Sequence, residues 1–134
     1  MRHIVCIATA LSLLTSCTQP QANTPSEASG CGKAEIEKWQ VDLGQIGYGD
    51  IVGVKYKIKN VGTAPLTIAD VETTCGCTQA NYKAQPIEAG SNANIEIVFD
   101  TSGLHGYQYK TATVIANTSC ATERIKIAFT AQIE

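Results

Sequence analysis

The sequence predicts an all-β fold: a seven-stranded antiparallel immunoglobulin-like β-sandwich, preceded by a signal peptide and a flexible tether. Three observations carry this. Apolar and polar residues alternate with a period of two in several segments, the pattern of strands buried on one face. Clusters of Gly, Asn, Asp and Ser separate those segments at the spacing of short strands. No stretch of ten residues repeats apolar side chains at intervals of three and four, so no amphipathic helix competes. Short strands with frequent turns over about 100 residues suit one sandwich domain.

Glu35–Leu43 is the first expected strand, and Gly44-Gln45-Ile46-Gly47-Tyr48-Gly49-Asp50 turns the chain. In Ile51–Asn60, Val52, Val54, Tyr56 and Ile58 share one face, while Gly53, Lys55, Lys57 and Lys59 share the other. Those lysines read as a solvated face rather than an anion site. After the Asn60-Val61-Gly62 turn come two shorter strands, Pro65–Thr73 and Thr78–Tyr82. Glu88-Ala89-Gly90-Ser91-Asn92 leads into Ala93–Asp100, whose inward set is Ile95, Ile97 and Phe99. A turn over Thr101-Ser102-Gly103-Leu104-His105-Gly106 precedes Tyr107–Asn117, read with Tyr107, Tyr109, Thr111, Thr113 and Ile115 inward. Asn117-Thr118-Ser119 turns into Glu123–Glu134, with Ile125, Ile127, Phe129, Ala131 and Ile133 inward.

The domain is expected over residues 31–134. Ahead of it, Met1, Arg2 and His3 form a basic head, Ile4 to Leu14 an apolar run, and Leu14-Thr15-Ser16-Cys17 a small-residue site ending on cysteine. The run is too short to span a bilayer, which takes about 20 apolar residues. It reads as a secretory signal over residues 1–16 that is cut off. Leu-Thr-Ser-Cys resembles the lipobox of bacterial lipoproteins, which implies a diacylglycerol on the Cys17 thiol and an acyl chain, such as palmitate, on the new N-terminus. Residues 17–30 then form the tether. Thr18–Gly30 is rich in Pro, Ser and Gln and has no aliphatic residue larger than Ala, so it cannot bury a core. Its end-to-end reach is roughly 20 Å. The expected place is the cell envelope, lipid-anchored to a membrane and facing the periplasm from the outer membrane.

Removing Met1–Ser16 leaves 118 of 134 residues and takes away Arg2, so nine cations face twelve anions and the formal charge is −3. Without a basic stripe, nucleic acid is not an expected partner. The expected partners are the membrane, through the lipid, and an envelope protein.

Six cysteines are encoded. Cys6 leaves with the signal and Cys17 is lipidated, so Cys31, Cys75, Cys77 and Cys120 remain, in a compartment that permits disulfides. If successive strands alternate in direction, Cys31 and Cys120 fall at one end of the sandwich and can pair. Cys75 and Cys77 fall at the other. For Cys75-Gly76-Cys77 three readings stay open: a local disulfide, an accessible redox pair, or paired thiolates for a soft metal such as copper(I) or zinc. His105, in a turn at the same end, could join Cys75 and Cys77 as a third metal ligand. No other cofactor is expected.

Ile58-Lys59-Asn60-Val61-Gly62-Thr63-Ala64-Pro65-Leu66-Thr67-Ile68, followed by Thr74-Cys75-Gly76-Cys77-Thr78, resembles the bacterial family known as domain of unknown function 1573. The resemblance runs from Leu43 to Ile133 and includes the strand ending at Asn117. It departs at Glu88-Ala89-Gly90, where many relatives have Pro-Gly. The resemblance implies an immunoglobulin-like fold, related to chaperone- and cilium-type sandwiches, often on a lipid anchor. It implies no activity.

Nothing in the sequence marks an enzyme. His-Glu-x-x-His, Gly-x-Ser-x-Gly and a phosphate loop are all missing, and Gly44, Gly47 and Gly49 have the wrong order for a dinucleotide fingerprint. The expected function is a non-catalytic interaction module, whose contact surface is the end bearing Tyr48, Asp50, Cys75–Thr78 and His105–Tyr107. The alternative is metal-binding or thiol-redox chemistry at Cys75 and Cys77.

Overall fold

The structure is a computed structural model that describes residues 30–134. The expected signal peptide, Cys6, the lipidated Cys17 and the tether up to residue 29 lie outside the described residues. Within them the chain is all-β and contains no helix. Eight strands, not the expected seven, run in order: β1 Ala34–Ile36, β2 Gln40–Ile46, β3 Ile51–Asn60, β4 Leu66–Thr73, β5 Thr78–Asn81, β6 Asn92–Asp100, β7 Gly106–Thr118 and β8 Thr122–Ile133. They form two four-stranded sheets, β1-β3-β6-β5 and β2-β8-β7-β4.

The extra strand comes from the first expected one. Glu35–Leu43 is broken at Glu37-Lys38-Trp39, where the chain leaves one sheet and joins the other. A charged dipeptide cannot lie between two packed apolar faces. The chain therefore exposes it at the crossing. β1 pairs antiparallel with β3, but β2 pairs parallel with β8, so the sandwich is not wholly antiparallel as expected. Apolar alternation reveals that a segment is a strand, not which sheet edge it joins. The β2–β8 register slips between Asp42 and Gln45, and Gly44 sits there at φ 66°, a left-handed conformation that glycine reaches without strain.

The core between the sheets is built from the inward phases of β3, β6 and β8 as expected: Val54, Tyr56 and Ile58; Ile95, Ile97 and Phe99; Ile127, Phe129, Ala131 and Ile133 are all buried. Phe99 and Phe129 meet across the layers with centroids 5.0 Å apart. The phase expected for β7 is wrong. Its core face is Ala112, Val114 and Ala116, while Tyr107 and Tyr109 are 67% and 50% exposed. Small residues fill this face because Tyr56, Ile58 and Phe99 already occupy the space between the layers. The register agrees: Val114 lies opposite the core residue Val71 of β4, whereas Ile115 lies opposite Asp70 and, on β8, Arg124.

The lysine face of β3 is solvent-exposed and charge-matched. Lys55 lies opposite Glu96, and Lys59 opposite Glu35. One exposed ion pair, Arg124 with Glu72 at 2.6 Å, crosses the outer face of the second sheet and contributes little to stability.

Two buried polar side chains hold the frame, Tyr56 across the layers and Asn60 among the connections at the tether end. The Tyr56 hydroxyl donates to the carbonyl of Ala128 at 2.6 Å, and burial pushes its pKa up to about 12. Asn60, fully buried, donates to the carbonyls of Ala64 and Ile87, each at 2.8 Å, and accepts from the amides of Lys33 at 3.2 Å and Gly62 at 3.0 Å. That uses both donors and both lone pairs of the carboxamide. Gly62 is required beside it, because a Cβ there would overlap the Cys31 carbonyl oxygen and the Lys33 amide nitrogen.

Candidate functional site

Strand direction sorts the cysteines onto opposite ends. At the end where the chain enters the domain, Cys31 and Cys120 are disulfide-bonded, with α-carbons 5.5 Å apart and a sequence separation of 89. The Ser119 hydroxyl also donates to the Gly30 carbonyl there at 2.8 Å. A bond closing so long a loop removes much denatured-chain entropy, about 4–5 kcal/mol in the chain-entropy model.

At the far end, three connections converge. The β2–β3 turn is pinned from β6's end: buried Thr101 places its hydroxyl 2.8 Å from the Gly47 carbonyl and 3.0 Å from that of Asp50. The Gly47 amide donates to the Asp50 carboxylate at 2.8 Å. The β4–β5 corner is Cys75-Gly76-Cys77. The Thr78 hydroxyl donates to the Cys75 carbonyl at 3.0 Å, the Thr74 hydroxyl to that of Thr111 at 3.0 Å, and the Asp100 amide to that of Cys77 at 2.9 Å. The β6–β7 turn carries His105, whose ring stacks on Tyr48 with centroids 4.9 Å apart and planes 9° from parallel.

Cys75 and Cys77 are half-buried and bonded to each other, with α-carbons 5.3 Å apart. The corner, with exposed Gly76 at its tip, is tighter than an extended strand and so lies within disulfide range. The Cys77 amide donates to the Cys75 sulfur at 3.2 Å. This disulfide closes only three residues, so the same chain-entropy model gives it about 1–2 kcal/mol. The two disulfides therefore differ in what they do for stability.

The expected metal set does not assemble. Among the described residues, no three His, Cys, Asp or Glu side chains are placed to hold an ion. The two sulfurs are bonded to each other, and the His105 ring is committed to Tyr48. Cys17 lies outside the described residues.

The same end of the sandwich exposes three large apolar side chains. Tyr48 is 55% exposed, Ile51 71% and Tyr107 67%. Ile51 borders a shallow hollow shared with Gly76, Cys77, Gln79, Val98 and Asp100. Sequence reading missed Ile51. The signal was there: it falls in the same phase as Lys55, Lys57 and Lys59, an apolar side chain on a solvent face. Tyr48, Asp50 and His105–Tyr107 reach this end as expected.

A family model described as "Protein of unknown function (DUF1573)" matches residues 34–133, the family the motifs resemble. Among solved structures, a protein of unknown function from Porphyromonas gingivalis W83 aligns at 24% identity and a TM-score of 0.63, over 75% of this chain and 46% of that one. The VesB protease of Vibrio cholerae aligns at 12% identity and 0.61, over 75% and 31%. A PapD-like domain of human CEP192 aligns at 13% identity and 0.59, over 96% and 98%. This chain thus spans less than half of the first two proteins and nearly all of the third. At these identities the likenesses establish the fold. A search of curated proteins finds no match.

Proposed function

The chain belongs to the DUF1573 family, and on that premise we propose that it is a lipid-anchored bacterial envelope protein whose sandwich is a non-catalytic interaction module. The lipid sits on Cys17, the tether holds the domain at the periplasmic face of the outer membrane, and the far end meets a protein partner. The observation that carries this is the exposure of Tyr48, Ile51 and Tyr107 at the end opposite the point where the tether enters at Gly30 and Cys31. Exposed aromatic and aliphatic side chains at one end of a rigid sandwich are the usual material of a protein contact. The PapD-like likeness supports a binding module in preference to an enzyme. At the far end the His105 imidazole is stacked on Tyr48.

The test is site-specific photo-crosslinking in the native bacterium. A photoreactive residue at Ile51 or at Tyr107 is expected to trap a discrete envelope protein. The same residue at Val61, 41% exposed in the β3–β4 turn at the tether end, is expected to trap none. Equal trapping from all three positions, or none from Ile51 and Tyr107, would overturn the reading.

A further inference from the structure

We propose that the Cys75–Cys77 disulfide is a thiol–disulfide exchange site that accepts two electrons from a dithiol, an activity separate from the proposed partner contact. Three observations converge on it. First, the bond closes a three-residue ring at a surface corner, where it does little to constrain the unfolded chain, whereas Cys31–Cys120 spans 89 positions. Second, both cysteines are half-buried rather than enclosed, and Cys77 lines the hollow bordered by exposed Ile51, which offers an attacking sulfur a path. Third, the two sulfurs are unequal. The Cys77 amide already donates to Cys75 Sγ at 3.2 Å, the hydrogen bond that a thiolate on Cys75 needs. Cys77 instead shares its hollow with Asp100. The Ser102 amide holds the Asp100 carboxyl below its usual range, so the hollow that Cys77 lines carries a negative charge, which disfavours a thiolate on Cys77 relative to Cys75.

The asymmetry fixes the order of steps. A thiolate of the dithiol attacks Cys77 Sγ. A bond forms between the partner sulfur and Cys77, the Cys75–Cys77 bond breaks, and its electron pair leaves on Cys75, where the amide stabilises it. A leaving thiolate with a lowered pKa departs faster. The second partner thiol gives up its proton and attacks the partner sulfur in the mixed disulfide. The partner's own disulfide forms, Cys77 leaves as thiolate, and both cysteines take up protons. One dithiol is oxidised and one disulfide reduced, with two electrons and two protons passing to the cysteine pair.

The test uses the full chain and dithiothreitol as the dithiol, with alkylation and peptide mapping to assign each cysteine. The expected result is that Cys75 and Cys77 become reduced at a dithiothreitol concentration at least about tenfold below the one that opens Cys31–Cys120, one oxidised dithiothreitol forming per pair, with the far-ultraviolet dichroism unchanged. Opening of both disulfides together, or loss of the fold as Cys75–Cys77 opens, would overturn the proposal. A second measurement tests the asymmetry: iodoacetamide at neutral pH is expected to modify Cys75 in Cys77→Ser at least about tenfold faster than Cys77 in Cys75→Ser. Equal or reversed rates would overturn the assigned order. The photo-crosslinking result does not bear on either measurement.

Discussion

Replacing Tyr56 with Phe removes one oxygen from the centre of the sandwich, and its effect should reverse with pH. At neutral pH the hydroxyl donates to the Ala128 carbonyl at 2.6 Å from a site that is only 1% exposed. Losing that hydrogen bond and leaving the carbonyl short of a partner costs about 1–1.5 kcal/mol. The phenol titrates near 10.0 when exposed and at about 12 in the fold, because burial disfavours the phenolate. A raised folded-state pKa means the fold prefers the neutral form. That preference is whole below pH 10, and it is lost as pH rises towards 12, since the unfolded chain gains by ionising first. Each unit of pH across this window removes about 1.4 kcal/mol from the wild type and nothing from the Phe variant. The variant should therefore be the less stable protein at pH 7, equal near pH 11, and the more stable above it. Urea unfolding followed by circular dichroism from pH 7 to 11.5 measures both proteins, and other titrations cancel in the difference. A Phe variant as stable as wild type at pH 7, or a gap that stays constant to pH 11.5, would refute the reasoning.

Two further perturbations test the frame. Asn60→Ala strips partners from two carbonyls and two amides at a buried corner, and is expected to cost roughly 3–5 kcal/mol by chemical denaturation. A cost below 1 kcal/mol would mean that water replaces the carboxamide. Cys31→Ser with Cys120→Ser is expected to lower stability by up to about 4–5 kcal/mol, and Cys75→Ser with Cys77→Ser by only about 1–2 kcal/mol. Equal losses would show that loop length does not govern either bond.

Much of this architecture can be read from residue order, and where it cannot the reason is physical. β3, β6 and β8 carry large β-branched and aromatic residues on one phase and polar ones on the other, so their inward faces are legible. β7 is ambiguous because its two phases are equally apolar. Tyr107 and Tyr109 are far larger than Ala112 and Ala116 and so draw the inward reading, yet the facing layer leaves room only for small side chains. A strand that changes sheets, as the chain does between β1 and β2, keeps its alternation on both sides of the break, so the sequence shows one strand where there are two. The far-end site was legible in outline, since turn order alone placed Tyr48, Cys75, Cys77 and His105 at one pole. What it could not give was which neighbour each side chain would choose. His105 stacks on Tyr48 rather than approaching sulfur, and Cys75 takes the Cys77 amide.

The central claim is that a lipid on Cys17 holds this domain in the envelope, and mass spectrometry of the N-terminal peptide from the membrane fraction of the native bacterium tests it most directly. The account predicts a mature chain that begins at Cys17 and carries a thioether-linked diacylglycerol. A chain that still begins at Met1, or that begins at Cys17 with a free thiol and sits in the soluble fraction, would contradict it.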